Sequence, residues 1–222
     1  KVEYGARVSN EFMIASEEER INILKAFNDG FARKVARGLD LMAFHGVNPR
    51  TGAPTTVIGN NNFDAQVAQS VVSDLTDPNN DVETAIATIH ATDNEVTGMI
   101  MSPAFRSALA QQKDAQGLPM FPELAWGNAP TDINGLRVEV NRTVSDMAAN
   151  NARAYVGDFA NYFKWGYSKQ IPLKVIEYGD PDNSGNDLQG YNQVYLRAEV
   201  FLGWGILDPE AFAVIVEQDE QG

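Results

Sequence analysis

SEEERINILKAFNDGFARKVARGLDLMAFHG, residues 16–46, is the stretch on which the fold turns. Ser16 and Glu19 form a capping box, in which each side chain satisfies a free amide of a first helical turn. Glu17, Glu18 and Glu19 lie against the positive end of the helix dipole. Apolar residues then recur at helical spacing at Leu24, Phe27, Phe31, Val35, Leu39 and Met42. Lys34 and Arg37 fall late, where the dipole favours cations, and Gly46 is a natural stop. The expectation is one helix from residue 16 to 45, roughly 45 Å long at 1.5 Å per residue.

Upstream, residues 1–8 read as an extended piece, and Ser9 as the cap of a helical turn reaching Met13. Downstream, residues 47–62 form a Gly-, Pro-, Thr- and Asn-rich loop. Residues 64–75 and 82–91 read as two amphipathic helices separated by Asp77-Pro78-Asn79-Asn80. Residues 96–101 read as an apolar strand. Ser102-Pro103 starts a helix, with proline at its favoured first position, running to about Lys113. Residues 114–134 are irregular. Residues 136–144, 153–158 and 212–216 read as strands. Residues 171–178 and 193–204 alternate apolar and polar side chains around a loop, as in a long hairpin. The pattern is α+β.

Composition narrows the function. The 222 residues carry 17 basic and 30 acidic side chains, a net charge of −13. That excess repels phosphate and anionic lipid alike, so neither nucleic acid nor a membrane surface is an expected partner. No apolar run spans a bilayer and no signal peptide is visible. There is no cysteine, hence no disulfide or thiolate chemistry, and the two histidines, His45 and His90, are few for a transition-metal site. The motifs of serine hydrolases, zinc proteases and P-loop enzymes are missing. No catalytic, cofactor or metal residue is assigned.

Several local patterns have a plain reading. His45 at a helix end is expected to cap carbonyls, and Asp158 beside Gly157 to form a turn at a strand end. Trp126, Trp165 and Trp204 are expected in cores or subunit contacts. Asp180-Pro181-Asp182-Asn183-Ser184-Gly185 has the look of a calcium loop. Counting twelve from Asp180 reaches Tyr191 where an EF-hand needs a bidentate carboxylate, so a solvated hairpin loop is the better reading.

The order of motifs resembles the Hong Kong 97-like major capsid protein family of tailed phages and prophages. The resemblance runs through Arg7-Val8-Ser9-Asn10-Glu11-Phe12, Asp40-Leu41-Met42-Ala43-Phe44-His45-Gly46 with Thr51-Gly52, and Met99-Ile100-Met101-Ser102-Pro103. It continues through Lys113-Asp114-Ala115-Gln116-Gly117, Ile133-Asn134-Gly135-Leu136-Arg137-Val138 and Tyr155-Val156-Gly157-Asp158-Phe159. It ends in Val194-Tyr195-Leu196-Arg197-Ala198-Glu199 and Asp208-Pro209-Glu210-Ala211-Phe212-Ala213. The family's N-terminal arm and extended loop have no counterpart here, so on this resemblance the chain is expected to start just after that loop.

The resemblance implies a long spine helix, a long β-hairpin and an axial α/β domain. It implies a peripheral domain from residues 1–46 and 163–204 and an axial domain from 47–162 and 205–222. It implies a structural protein, without a cofactor, that self-assembles as pentamers and hexamers into an icosahedral head. Scaffold or head-decoration proteins are its possible partners, and a bacterial host cytoplasm its place of synthesis. The hairpin loop, with Asp180, Asp182, Asn183, Asn186, Asp187 and Asn192, is implied as a subunit contact. Two alternatives stay open: an encapsulin-type nanocompartment shell, and a small acidic α+β enzyme or binding domain. The second requires a deep polar pocket in place of spine and hairpin.

Overall fold

The capping box at Ser16 is formed. The computed structural model, which describes residues 1–145 and 151–218, has the Glu19 amide donating to Ser16 Oγ at 3.3 Å and the Ser16 amide donating to Glu19 Oε2 at 3.1 Å. The chain then runs as one helix to His45. Gly46 ends it with φ +65°, and a Cβ there would stand 2.5 Å from Asn62 Nδ2, so glycine is required by both backbone and space.

In chain order the elements are β1 (Val2–Ser9), α1 (Glu11–Ile14), α2 (Glu17–His45), α3 (Phe63–Gln66), β2 (Ser70–Ser73), α4 (Pro78–His90), β3 (Gly98–Met101) and α5 (Pro103–Ala110). They continue with β4 (Asp132–Ile133), β5 (Leu136–Val140), β6 (Ala152–Gly157), α6 (Phe159–Tyr162), β7 (Phe163–Ile176), β8 (Gln193–Ile206) and β9 (Phe212–Glu217). The chain divides into two compact units. One comprises Lys1–Gly38 and Trp165–Gly203, the other Leu39–Lys164 and Trp204–Gly222. No helix among the described residues is long and apolar enough to cross a membrane.

In the first unit the sheet order is β1-β8-β7, with β1 antiparallel to β8. Register places Val2, Tyr4, Ala6 and Val8 opposite Val200, Ala198, Leu196 and Val194. Because side chains alternate across a strand, these share one face. That face meets Phe12 of α1 and Leu24, Phe27, Phe31 and Val35, the first part of the helical stripe read from the sequence. The opposite face carries Glu3, Gly5, Arg7, Tyr195, Arg197 and Glu199.

In the second unit a six-stranded sheet has the order β2-β9-β6-β3-β5-β4. Both faces are covered. Ala154, Val156, Ala213, Ile215, Met99, Met101 and Val138 pack with Ala85 and Ile89 of α4 and Phe105 and Leu109 of α5. Tyr155, Phe212 and Val214 pack on the other side with Phe44 and Phe63. Double coverage explains why residues 212–215 read as an unbroken apolar run.

Several expectations are corrected. Residues 64–75 are not one helix: α3 ends at Gln66, and Val71 and Val72 join β2, paired in parallel with Ile215 and Val216 of β9. β-Branched residues fit a pleated ladder better than a helix, and a long-range partner settled the choice. Asp77-Pro78-Asn79-Asn80 is a helix start and not a linker, since Asp77 caps Asn80 N and Pro78 takes the first turn of α4. The helix after Ser102 stops at Ala110, short of Lys113. The strand from Leu136 stops at Val140, where Asn141 caps a 3₁₀ turn, Arg142–Val144. Late in α2 Leu41, Ala43, Phe44 and His45 are buried while Leu39 and Met42, the expected continuation of the stripe, are half-buried.

Candidate functional site

The loop joining β7 to β8 is built around one cation. Arg7 stands on the face of β1 away from the unit's apolar core, in register with Tyr195. Its Nε donates to Asp182 Oδ2 at 2.9 Å and its Nη2 to Asp182 Oδ1 at 2.5 Å, the two-pronged grip that a planar guanidinium makes on a carboxylate. Nη2 also lies 2.7 Å from Asp180 Oδ1, 2.7 Å from Ser184 Oγ and 2.9 Å from the Asn186 carbonyl, its two hydrogens shared among these acceptors. Nη1 reaches Gln193 Oε1 at 3.3 Å. The guanidinium holds the Asp182 carboxyl well below the usual carboxylate range.

The loop turns on these anchors. Asp180 accepts from the Ser184 amide at 3.0 Å and from the Gly185 amide at 2.7 Å. Asp187 accepts from the Gln189 amide at 2.9 Å and the Gly190 amide at 3.3 Å. Asn183 and Asn192 both take left-handed backbone at φ 52°, which asparagine tolerates better than other side chains. The Asn192 carbonyl accepts from Asn10 N at 2.9 Å. Leu188 is completely buried, its amide on the Gly179 carbonyl and its carbonyl on the Gln193 amide, both at 2.9 Å.

Of the residues singled out from sequence, Asp180, Asp182 and Asn186 therefore converge on Arg7, whereas Asn183, Asp187 and Asn192 shape the turns and stay exposed. The calcium-like spacing is accounted for: both aspartates face a guanidinium. Among the described residues no group of three or more histidines, aspartates or glutamates is placed to hold a metal ion. The sequence reading missed Arg7 as the organiser. Its signal was a lone arginine in an otherwise apolar-alternating strand, visible only once the loop partner is known.

A second cluster was also missed. His45 does not cap its own helix. Its Nδ1 lies 2.7 Å from Asp64 Oδ2 and its Nε2 2.7 Å from the Thr143 carbonyl, with the side chain 1% exposed. Tyr155 Oη donates to the other Asp64 oxygen. The Thr143 carbonyl can only accept, so Nε2 donates to it; whether Nδ1 donates to Asp64 or accepts from it depends on the form of the ring. Tyr155 stacks on Phe44 at 5.0 Å between ring centroids, and Phe63 meets it edge-on at 5.5 Å. Nearby, Asn141 Nδ2 donates to Asp40 at 2.7 Å, and burial pushes that carboxyl up.

Burial also pushes the Tyr155 phenol well above its ordinary value of 10.0, with the Asp64 charge adding to it. A folded-state pKa above the unfolded one gives stability that is whole below pH 10 and lost as pH rises beyond it, when only the unfolded phenol ionises. Replacing Tyr155 with Phe keeps the ring and is expected to cost about 1 kcal/mol at pH 7. Urea titrations between pH 8 and about 11.5 should show a shallower alkaline decline in that variant; parallel declines refute the assignment.

The remaining sites read from sequence are structural. Asp158 is buried and caps α6, accepting from Asn161 N at 3.2 Å and from Thr97 Oγ1 at 3.0 Å. Trp204 Nε1 donates to the Asn61 carbonyl at 3.0 Å. His90 is exposed, 3.9 Å from Glu95.

The sequence model of the family described as Phage capsid family matches residues 6–216. The chain belongs to the phage capsid family. It is a structural shell protein with a Hong Kong 97-like fold, as its motif order implied. A solved chain from Mycobacterium phage Ogopogo is similar at 32% identity, TM-score 0.83, covering 98% of this chain and 75% of that one. One from Gordonia phage Cozz is similar at 29% identity, TM-score 0.80, covering 99% and 70%. The capsid of an empty GTA particle, computed with C5 symmetry, shares the fold at 18% identity, TM-score 0.63, covering 96% and 71%. No curated protein sequence matches significantly. The readings as nanocompartment shell and as small acidic enzyme give way to the capsid reading.

One exposed side chain of this capsid chain stands out. Trp126 is fully exposed, at 105% of the reference area, with φ +58°. Its turn is pinned: Arg106 Nη1 donates to the Gly127 carbonyl at 2.9 Å, and Asn128 Nδ2 to the Glu123 carbonyl at 2.9 Å. Left-handed backbone at a non-glycine residue costs of the order of 1 kcal/mol, and among the described residues none buries the indole in return.

Proposed function

We propose that the chain is the repeating wedge of an icosahedral phage head, working by binding copies of itself and catalysing nothing. The match over residues 6–216 carries this reading. In it the unit built on β1, β7 and β8 is the peripheral domain and the unit built on the six-stranded sheet is the axial domain, which rings five- and six-fold axes. The loop from Gly179 to Asn192 meets a neighbouring copy. Scaffold or decoration proteins are further partners, and the chain is made in the cytoplasm of a bacterial host before it enters the virion.

Repeated weak contacts suffice, because each subunit closes several heterologous interfaces at once. Exposed aromatic anchors are the residues that such interfaces use. Sedimentation velocity and electron microscopy of the purified chain should show ring oligomers or larger assemblies growing with concentration. A monomer at every concentration up to about 100 μM, weaker than the −5.5 kcal/mol such an affinity represents, refutes the reading. Trp126→Ala is expected to leave the unfolding midpoint unchanged and to weaken self-association about 10-fold or more.

A further inference from the structure

We propose that Arg7 is the positioning residue of the subunit-contact loop: it sets the loop's shape before any neighbour arrives, and so decides whether the chain can assemble. This rests on the reading of Gly179–Asn192 as a contact. The Arg7 side chain is 16% exposed and makes its contacts inward, to Asp180, Asp182, Ser184, Asn186 and Gln193. The loop's outward groups are others: Asn183 and Asp187 at the turns and Tyr191, 61% exposed.

The physical problem is that a chain of net charge −13 must meet copies of itself. A loop with three aspartates presents like charges to an identical or neighbouring loop, which opposes association. Arg7 turns two of the three inward onto a cation and leaves a surface of amide, hydroxyl and aromatic groups with a single carboxylate, Asp187. It also removes an entropic cost. A long polar loop that is disordered when free loses conformational freedom on docking, whereas a loop already fixed through Asp180, Asp182 and the buried Leu188 does not. The fork geometry is what does this, since one planar group spans Asp182, Asp180 and a backbone carbonyl together; a lysine ammonium has the charge and not the span.

Three variants of the full chain test it: Arg7→Gln, Arg7→Lys and Tyr191→Arg. The last puts a bulky charge on the loop's outer surface at a residue whose side chain takes no part in the clasp. Hydrogen exchange is read at the Ser184, Gly185 and Leu188 amides, and self-association by sedimentation. Arg7→Gln is expected to speed exchange at those amides at least 10-fold and weaken association at least 10-fold. Arg7→Lys should fall between it and the parent, which keeps the test usable if the glutamine variant folds poorly. Tyr191→Arg should weaken association without speeding exchange. If Tyr191→Arg associates like the parent, the loop is no contact and the proposal falls with that reading. If Tyr191→Arg weakens association while the Arg7 variants do not, the contact stands and the positioning role is wrong. Unchanged exchange in Arg7→Gln overturns the clasp itself.

Discussion

Gly157→Ala is expected to destabilise the six-stranded unit by about 3 kcal/mol, near the upper end for a forced overpacking, and to lower its melting temperature by roughly 6–12 °C. A Cβ at 157 would stand 2.4 Å from Phe212 Cδ1, 2.5 Å from the Ala211 carbonyl oxygen and 3.0 Å from Phe212 Cα. Two of those three atoms are backbone, so no rotamer change relieves them. The Ala211 carbonyl is further held by the Asp158 amide at 3.1 Å, and Gly157 is paired with Phe212 in the β6–β9 ladder. The φ at Gly157 is not in the left-handed region, so the cost is space and not conformation. Gly203→Ala, where an added Cβ meets nothing within 4 Å, is the control. Thermal and urea unfolding that show the two variants alike would refute the close-approach account.

Asp64→Ala is expected to cost about 3–5 kcal/mol. One carboxyl group accepts from Tyr155 Oη and is hydrogen-bonded to His45 Nδ1. With His45 1% and Asp64 11% exposed, water has little access to replace it. Removing the carboxylate leaves two buried polar groups, Tyr155 Oη and His45 Nδ1, without their partner, each worth about 1–3 kcal/mol. Asp64→Asn retains one acceptor oxygen and should recover part of the loss. A double variant with Tyr155→Phe should cost less than the sum of the two singles, because the second change removes a donor already orphaned by the first. Additive urea midpoints would show that the groups do not act through a shared partner.

Much of the long helix α2 was legible along the chain. The stripe at Leu24, Phe27, Phe31 and Val35, the capping box at Ser16 and the stop at Gly46 are short-range signals, and each is realised within a few residues of itself. The same holds for Ser102-Pro103, whose hydroxyl accepts from Phe105 N at 3.2 Å. Residues 64–75 misled because an amphipathic run of that length suits a helix or a strand, and only β9, more than 140 positions away, supplies the ladder that favours the strand.

The loop from Gly179 to Asn192 divides along the same line. The sequence by itself marked the loop after β7, its glycines and asparagines and its acidic content, because turn chemistry is local. It also determined the family, since motif order along the chain is one-dimensional information. Only the tertiary structure decided what the aspartates do. Asp180-Pro181-Asp182 has the spacing of a cation loop, and it does bind a cation: the guanidinium of Arg7, on a strand 173 and 175 positions earlier. No window of sequence contains both ends of that bond. Its partners meet because β1 pairs with β8 in one register, and that register is set by the apolar face of the sheet.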